Sequence, residues 1–474
     1  MDFSEAYRCS LPPVLSPDGA HVASAVDWQL TIREVESLQT VQIYSCLDKI
    51  HRLEWSPNSR YVACGLDDRA TVQVWSLEDP EWACRIDEGP AGVTNCRWSP
   101  DGLSVLIVAD FSVRLTVWSL VDRRCSYLPG PKHAARGLAF DPAGRRMAVL
   151  ERKECKDWVA LYDHSAADGW SLRSRFVLDT LDAADLAWSP DGSKIAVWDS
   201  PLQYKVVVHA ADDGACLSVF CAYDDALGAK AAAWAPGGCA LAVGSFDQVA
   251  RVLNGVTWQP LLECHHGSPV EGPRGAAVYR ELEEARGVLA PVQAPQPGGP
   301  AGSPPRREAR ARYAVCPLPF EVASVPPPKD KPNPKLGVGT LAWSPDGQLL
   351  ATVNDNMPHA VWVWDLRTAD LAAALSHVSP VRALAWAPAA AAAAGDGGGG
   401  GGAGGGARRQ GAGAGGERLG VVTGGDRLYL WSPAGASVVH VPVPGFAARG
   451  LAWAPGGGAV ALHGKDAFCI GYVC

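Results

Sequence analysis

The sequence predicts an all-β protein, a single closed β-propeller of about nine four-stranded blades. Three observations predict this fold. The first is a turn motif that recurs along the 474-residue chain and reads Trp-Ser-Pro-Asp-Gly in its fullest form, at Trp98–Gly102. The second is the short apolar run on each side of the motif. The third is its spacing, because most copies stand 40 to 48 residues apart, the length that one blade needs.

The turn motif occurs nine times when the chain is aligned on its proline. The nine prolines are Pro17, Pro57, Pro100, Pro142, Pro190, Pro236, Pro345, Pro388 and Pro455. Seven copies have Trp two residues earlier, and Leu15 and Phe140 take that place in the other two. Serine can cap such a turn, proline presets its φ angle, and glycine accepts the left-handed exit. The motif therefore predicts a tight turn between two antiparallel strands, with the Trp position as a core anchor.

Each unit holds four short apolar runs. In the third unit the turn follows a run that ends at Trp98, and it precedes "SVLIVA" at 104–109. A third run, "RLTVW" at 114–118, and a fourth, "CSYLP" at 125–129, complete the unit. Runs of this length and composition are typical of buried strands. Four strands in 40 to 45 residues predict one propeller blade.

The two ends of the chain are expected to share the last blade. The final unit ends after "AFCIGYVC" at 467–474, which supplies a third strand and leaves no residues for a fourth. Residues 3–10, "FSEAYRCS", precede the first motif and can supply it, which removes the open sheet edges. Deletion of the first ten residues should then cause aggregation or early melting. Eight blades, or seven with extra strands, remain alternatives to nine.

Two low-complexity segments interrupt the repeats. We expect blades 1–6 in residues 1–268, a Pro-rich insert at 269–337, and blades 7–9 in residues 338–474. The proline and charge of the insert predict a mainly disordered loop. The Ala/Gly-rich tract at 389–417 predicts a flexible tether inside a hairpin.

The insert leaves two questions open. Residues 313–324 are apolar enough to add a strand, and part of the insert could be a degraded tenth unit. The basic cluster "RREARAR" at 306–312 could contact an acidic partner, although a solvated run of charge is the more ordinary interpretation.

Composition excludes several classes of protein. A net charge of −8 disfavours a surface that follows nucleic-acid phosphates, so we expect protein partners and no nucleic acid. The sequence offers neither a membrane span nor a secretory signal, and no membrane partner is expected. The 14 cysteines are scattered without CxxC pairs or zinc spacing, which predicts reduced thiols in the cytoplasm.

No catalytic constellation stands out. The chain has no GxSxG, GxxxxGK[ST] or HExxH motif and no EF-hand loop. Paired acids such as Asp67-Asp68 and Asp212-Asp213 fall at turns, where solvated carboxylates are ordinary. We therefore predict a protein that is not an enzyme, with no catalytic residues, no cofactor, no metal site and no small-molecule substrate.

The third strands end in the slot that the Trp-Asp dipeptide holds in WD repeats. The residues at this position are Trp75-Ser76, Trp118-Ser119, Trp364-Asp365 and Trp431-Ser432. One of these four units, the one with Trp364-Asp365, therefore has the complete dipeptide. The Gly-His dipeptide of such repeats is degraded too, with His133 and His377 as the best candidates for its histidine. The hydrogen-bonded tetrad of regular WD blades is therefore expected to be incomplete in most units, and these His and Trp residues are expected to be structural.

Longer stretches carry a resemblance to one family. They lie at 72–89, 241–258, 333–366, 375–386 and 427–435. They resemble the centrosomal WD-repeat proteins named for lying antisense to a tumour-suppressor-related gene. The resemblance implies a non-enzymatic scaffold at the centrosome, centriolar satellites and spindle poles. It also implies a coiled-coil centriolar-satellite partner and, in yeast-like relatives, a minus-end-directed kinesin. The roles it implies are anchoring of microtubule minus ends, spindle assembly and early ciliogenesis.

Two alternative functions and two candidate contact loops complete the predictions. "WDLR" at 364–367 fits the WDxR pattern of propellers that serve as substrate receptors of cullin ubiquitin ligases. A nine-bladed ring also resembles translation-initiation propellers, an analogy of fold alone. The loops at 76–89 and 354–360 carry aromatic or polar residues outside the core positions, and we expect them to contact partners.

Overall fold

The chain forms a closed ring of nine β-sheets, as the sequence predicts. The computed structural model describes residues 1–165, 169–271, 276–284, 310–327, 334–389 and 417–473. Within these ranges there is no α-helix, and the helical content is three single 3-10 turns, Asp67–Arg69, Gly89–Ala91 and Asp110–Ser112. Nine separate sheets confirm the nine-bladed propeller and leave no place for the alternatives of seven or eight blades.

The first strands of the chain belong to the last blade, and six complete blades follow them. The first strands are β1 (Asp2–Phe3) and β2 (Tyr7–Arg8). Blade 1 contains β3 (Val14–Leu15), β4 (His21–Val26), β5 (Gln29–Glu34) and β6 (Thr40–Ser45); blade 2 contains β7 (Arg52–Trp55), β8 (Tyr61–Leu66), β9 (Thr71–Ser76) and β10 (Ala83–Asp87). Blade 3 contains β11 (Asn95–Trp98), β12 (Ser104–Val108), β13 (Arg114–Ser119) and β14 (Cys125–Pro129); blade 4 contains β15 (Leu138–Phe140), β16 (Arg146–Lys153), β17 (Lys156–Ser165) and β18 (Gly169–Val177). Blade 5 contains β19 (Ala183–Trp188), β20 (Lys194–Asp199), β21 (Val206–Ala210) and β22 (Cys216–Phe220); blade 6 contains β23 (Ala229–Trp234), β24 (Ala240–Ser245), β25 (Val249–Asn254) and β26 (Pro260–His265).

Blades 7 to 9 complete the ring. Two strands of the insert, β27 (Ala277–Glu284) and β28 (Arg310–Cys316), precede blade 7, which contains β29 (Val338–Trp343), β30 (Leu349–Asn354), β31 (Ala360–Asp365) and β32 (Asp370–Ser376). Blade 8 contains β33 (Ala383–Trp386), β34 (Leu419–Val422), β35 (Arg427–Ser432) and β36 (Gly435–His440); blade 9 contains β37 (Gly450–Trp453), β38 (Ala459–His463) and β39 (Ala467–Tyr472). We call the strands of a blade a to d, in chain order for blades 1 to 8, and strands a of neighbouring blades contact one another at seven seams.

The N-terminal residues close the ring. Phe3 pairs with Gly471, and Tyr7 pairs with Phe468, both antiparallel, so β1 and β2 together form strand d of blade 9. Between them the amide of Ser4 donates to a carbonyl of β39 at 2.8 Å. The predicted closure is confirmed, and its strand is divided into two short pieces.

The predicted turn is present with its side-chain bonds. In blade 3 the amide of Gly102 donates to the carbonyl of Ser99 at 2.9 Å, and Gly102 has a φ of 68°. The amide of Ser104 donates to Ser99 Oγ at 3.0 Å, and Ser99 Oγ also bonds to the carboxylate of Asp101. Each residue type of the motif therefore satisfies one part of the turn.

The Trp position anchors each blade to the preceding one. All seven Trp side chains donate their indole N–H to a carbonyl of strand a in the preceding blade, at 2.9 to 3.2 Å. The donors are Trp55, Trp98, Trp188, Trp234, Trp343, Trp386 and Trp453. Phe140 and Leu15 cannot donate such a bond, and Arg97 instead links blades 3 and 4 through the carbonyl of Leu138 at 3.0 Å.

The insert differs from its prediction. Strand β27 pairs in parallel with β32 and antiparallel with β28, which extends blade 7 to six strands. The expectation of a mainly disordered loop does not hold for residues 277–284 and 310–316, because β27 pairs with the outer strand β32 and β28 pairs with β27. A strand does form at 313–324, up to Cys316, and it joins blade 7 instead of a tenth blade.

Two predictions fall mainly on residues outside the described ranges. These are the Ala/Gly-rich tract at 389–417, apart from its two end residues, and the basic cluster at 306–312, apart from its last three residues.

Glu281 holds the added hairpin against blade 8. Its carboxylate accepts hydrogen bonds from the amide of Val378 at 2.8 Å and the hydroxyl of Tyr429 at 2.6 Å, and it pairs with Arg427 at 2.5 Å. Burial raises the pKa of Glu281, but these donors outweigh burial and the net shift is downward. The insert is thus joined to the ring by a buried, fully bonded charge.

Candidate functional site

The propeller has two unlike faces. Since neighbouring strands of a blade are antiparallel, the b–c and d–a loops emerge on one face, which we call the upper face, and the a–b and c–d loops emerge on the other, the lower face. Loops on such a scaffold are the usual place for binding residues.

Exposed apolar side chains are concentrated on the upper face. Of the eleven large apolar side chains that are exposed in described loops, eight lie on the upper face and three on the lower. The upper set is Trp28, Leu47, Phe111, Val113, Leu181, Leu202, Val325 and Val378; the lower set is Leu103, Val121 and Val256. Phe111 is 97% exposed and has no packing role. Because exposed apolar loop residues are more numerous on the upper face, we take this face as the candidate site.

Cavities open on the same face. One of about 790 Å³ lies between blades 5 and 6, beside Leu202 and the carboxylates of Asp224 and Asp225. One of about 720 Å³ lies between blades 7 and 8, and one of about 460 Å³ between blades 8 and 9. A further cavity of about 480 Å³ opens on the lower face, between blades 4 and 5.

Polar bonds between blades hold the inner rim of the upper face in place. Arg52 pairs with Asp67 at 3.2 Å within blade 2 and donates to Asn95 of blade 3 at 3.0 Å. Asn95 in turn donates to the carbonyl of Ala134, at the entry to blade 4, at 3.0 Å. These bonds join blades 2, 3 and 4 at the mouth of the channel, and residues that are already bonded lose less entropy when a partner binds.

A buried charge cluster continues this rim across blades 4 and 5. Lys132 pairs with Asp157 at 3.0 Å and Asp182 at 2.7 Å, and Arg152 pairs with each of them at 3.1 Å. Asp157 is completely buried, and it also accepts the amide of Ala183 at 2.6 Å. The hydrogen bond from Lys132 holds the pKa of Asp182 below its usual range. Because its charged groups pair with one another, this cluster has a structural role.

One blade keeps most of the WD hydrogen-bond chain. In blade 7 the indole of Trp364 donates to Thr352 Oγ1 at 3.0 Å, and that hydroxyl bonds to His266 Nε2 at 2.7 Å. His266 Nδ1 bonds to the carbonyl of Gln248 at 2.8 Å. Burial lowers the pKa of His266 to about 4, so the ring is neutral at physiological pH.

The two histidines that the sequence favoured for the Gly-His position lie, like His266, in d–a connections on the upper face. His377 is buried and bonds to the hydroxyl of Tyr313 of the added hairpin at 2.7 Å, and His133 bonds to the carbonyl of Ala183 at 3.1 Å. His377 Nδ1 also bonds to the carbonyl of His359 at 3.3 Å, the counterpart of the bond from His266 to Gln248. The expectation of structural histidines agrees with these contacts. His266 was missed because the insert separates it from the strands of its own blade.

The two loops predicted to contact partners lie on opposite faces. Residues 77–82 form a c–d loop on the lower face, and residues 355–359 form a b–c loop on the upper face. In the second loop Asn356 and Met357 are buried, and Asn356 donates to Gln248 Oε1 at 2.7 Å. Pro358 and His359 line the cavity between blades 7 and 8. Contact of the two loops with partners stays a prediction.

The WDxR arginine is engaged within its own turn. Arg367 donates to both carboxylate oxygens of Asp365, at 3.0 and 2.7 Å. This bidentate pair lowers the pKa of Asp365 and orients the guanidinium group along the lower face.

Three further features bear on chemistry. No group of three or more His, Cys, Asp or Glu side chains is placed to hold a metal ion among the described residues. The thirteen cysteines of the described part of the chain are free thiols. No helix in the described ranges is long and apolar enough to cross a membrane.

Comparison with known proteins places the chain in a family. It is 40% identical over 473 residues to the mouse protein named WD repeat-containing protein WRAP73, covering 99% of this chain and 95% of that one. The chain belongs to the WRAP73 family of WD repeat-containing proteins. Membership in the WRAP73 family confirms the resemblance found in the sequence, and the match extends over both halves of the ring.

More distant relatives share part of the ring. An uncharacterised WD repeat-containing protein of Schizosaccharomyces pombe is 26% identical over 44% of this chain and 45% of its own length. Protein HIR1 of Gibberella zeae is 25% identical over 40% of this chain and 22% of its own length. The solved C-terminal WD40 domain of Sif2 aligns over 93% of this WRAP73-family chain, with 10% identity and a TM-score of 0.48. No family model matches the chain.

Proposed function

We propose that this chain is a non-enzymatic scaffold that binds proteins on its upper face. The observation that carries the proposal is the uneven distribution of exposed apolar loop residues, eight on the upper face and three on the lower. A closed ring with bonded seams presents those loops in fixed positions, and a partner can dock on them without any catalytic group.

We propose further that the scaffold acts in the cytoplasm at the centrosome, centriolar satellites and spindle poles. Its partners there would be a coiled-coil centriolar-satellite protein, a minus-end-directed kinesin and factors that anchor microtubule minus ends. Spindle assembly and ciliogenesis would depend on these contacts. The support is the family resemblance of five stretches of sequence, which lie on strands and loops of blades 2, 6, 7 and 8.

Proximity labelling in dividing cells tests the location. A biotin ligase fused to the chain should label the satellite protein and spindle-pole components. Labelling of a cullin-ligase adaptor, or of ribosomal proteins, in their place would reject the proposal and support one of the two alternatives from the sequence.

A matched pair of variants tests which face of the ring binds partners. The upper-face variant combines Phe111→Ser with Leu202→Ser, and the lower-face variant combines Val121→Ser with Val256→Ser. All four side chains are 69 to 97% exposed, so neither variant should unfold the ring. The upper-face variant is expected to lose labelled partners and the lower-face variant to keep them; the reverse result would contradict the proposal.

A further inference from the structure

A groove crosses the upper face from blade 7 to blade 9. It consists of the cavity of about 720 Å³ between blades 7 and 8 and the cavity of about 460 Å³ between blades 8 and 9. Pro380 and Arg382 line both cavities, so the two lie side by side along the connection between blades 7 and 8. Its length spans two seams of the ring, which suits a segment of chain better than a compact ligand.

The walls of the groove are apolar and rich in proline. Residues 325–327, Val-Pro-Pro, form one wall, and Pro358, Pro380 and Val381 form the other. These residues come from three separate connections of the upper face: the segment before β29, the b–c loop of blade 7 and the d–a loop after it. A partner segment with bulky apolar side chains would replace water along both walls.

Backbone hydrogen bonds fix these walls to each other. The amide of Val325 donates to the carbonyl of Asn356 at 2.6 Å, and the amide of Val381 donates to the carbonyl of Pro358 at 2.8 Å. His359 Nδ1 bonds to the carbonyl of Val378 at 3.1 Å. Because the walls are already ordered, a ligand does not have to order them on binding.

The charge of the groove is positive and unmatched. Lys335, Arg382 and Arg449 line it, all three are exposed, and none has a carboxylate partner among the described residues. The carboxylate that lines the groove, Asp355, is paired with Lys230. The groove is thus locally positive, whereas the whole chain has a net charge of −8. The cavity between blades 5 and 6 on the same face is lined by two aspartates instead.

We propose that this groove binds a short acidic segment of a partner protein. Carboxylates of that segment would face Arg382, Arg449 and Lys335, and its bulky apolar side chains would lie against the proline walls. A polynucleotide fits less well, since the lining offers no Trp, Tyr or Phe for base stacking and the chain as a whole is acidic. The inference rests on the proposed scaffold function and adds the class of segment that is recognised.

Selection from a library of random 12-residue peptides on phage tests the inference with the purified full-length chain. We expect enriched peptides to combine Asp or Glu with Leu, Ile, Phe or Trp. Their affinity for the chain with Arg382→Glu and Arg449→Glu should fall at least about tenfold, because close charge pairs at an interface become repulsive. The control is Arg136→Glu, an exposed arginine on the same face outside the groove.

Three results would overturn the inference: enrichment of basic or uncharged peptides, no enrichment at all, or equal binding to the wild-type chain and the double variant. Tight binding of a single-stranded RNA oligomer that the double variant loses would also overturn it, in favour of a nucleic-acid ligand. A double variant whose melting temperature matches the wild type establishes that folding is intact. A negative result of the peptide selection does not change the proximity labelling expected at spindle poles. The two experiments therefore distinguish a failure of this inference from a failure of the proposed function.

Discussion

The indole N–H of Trp55 in blade 2 lies 2.9 Å from the backbone carbonyl of Val14 in blade 1 and donates a hydrogen bond to it. Six other blades repeat this contact with the equivalent Trp and a carbonyl of the preceding strand a. The recurring Trp of the turn motif therefore has a polar role besides its apolar packing, because its indole N–H joins seven of the nine blades to the blade before.

Loss of one such bond should weaken the ring measurably. Trp55→Phe keeps an aromatic ring but leaves the carbonyl of Val14 without its donor, and we expect the free energy of unfolding to fall by about 1–3 kcal/mol. Trp82→Phe is the control, since Trp82 is half-buried on the lower face and contributes no bond between blades. Denaturant unfolding that shows equal losses for both variants would contradict the role of the indole N–H.

The buried cluster at blades 4 and 5 offers a matched pair of carboxylates. Asp157 is completely buried, whereas the side chain of Asp182 is 53% exposed, and both pair with Lys132. Asp157→Ala should cost about 3–5 kcal/mol because it leaves Lys132 with too few partners inside the protein. Asp182→Ala should cost under about 1 kcal/mol, since water screens its ion pair. Chemical denaturation measures both, and similar costs would contradict the account.

Stability should decrease in mild acid. The pKa of His266 is about 4 in the folded chain, whereas an unfolded histidine titrates near 6.5. Between those values the unfolded state binds a proton that the folded state does not, so the free energy of unfolding falls as the pH falls. Through His266 alone, the free energy of unfolding should be about 2 kcal/mol lower at pH 5 than at pH 7.5.

Adjacent histidines supply the control for this pH effect. His265 is mostly exposed, while His266 is buried. His266→Gln should reduce the loss of stability between pH 7.5 and pH 5, and His265→Gln should leave it unchanged. His377, whose pKa is also about 4 because of burial, maintains part of the dependence in both variants. An unchanged pH dependence in His266→Gln would show that this histidine is not buried and neutral.

The strands of the ring could be predicted because their signals are local. Ser99, Asp101 and Gly102 specify a turn by their own bonds and φ angle, and the spacing of such turns fixes the blades. The closure by residues 3–10 followed from the missing fourth strand of the last blade. Strand order also places the c–d loop at 77–82 and the b–c loop at 355–359 on opposite faces.

Other features depend on contacts between distant residues. The hairpin of β27 and β28 pairs with β32, about 100 residues later, and nothing in the Pro-rich sequence between them indicates that pairing. His266 bonds to Thr352 across the same insert. The groove needs three connections that are separate in sequence, so its proline walls and its arginines become a site only when the blades are assembled.

Hydrogen–deuterium exchange of the N-terminal residues tests the closed ring most directly. The amides of Ser4 and Cys9 donate to carbonyls of residues 470 and 466. We predict slow exchange for peptides that cover residues 2–9 in the full chain, and fast exchange when the chain is truncated after Gly464, which removes β39. Fast exchange of residues 2–9 in the intact chain would contradict the closure of the ring by its two ends.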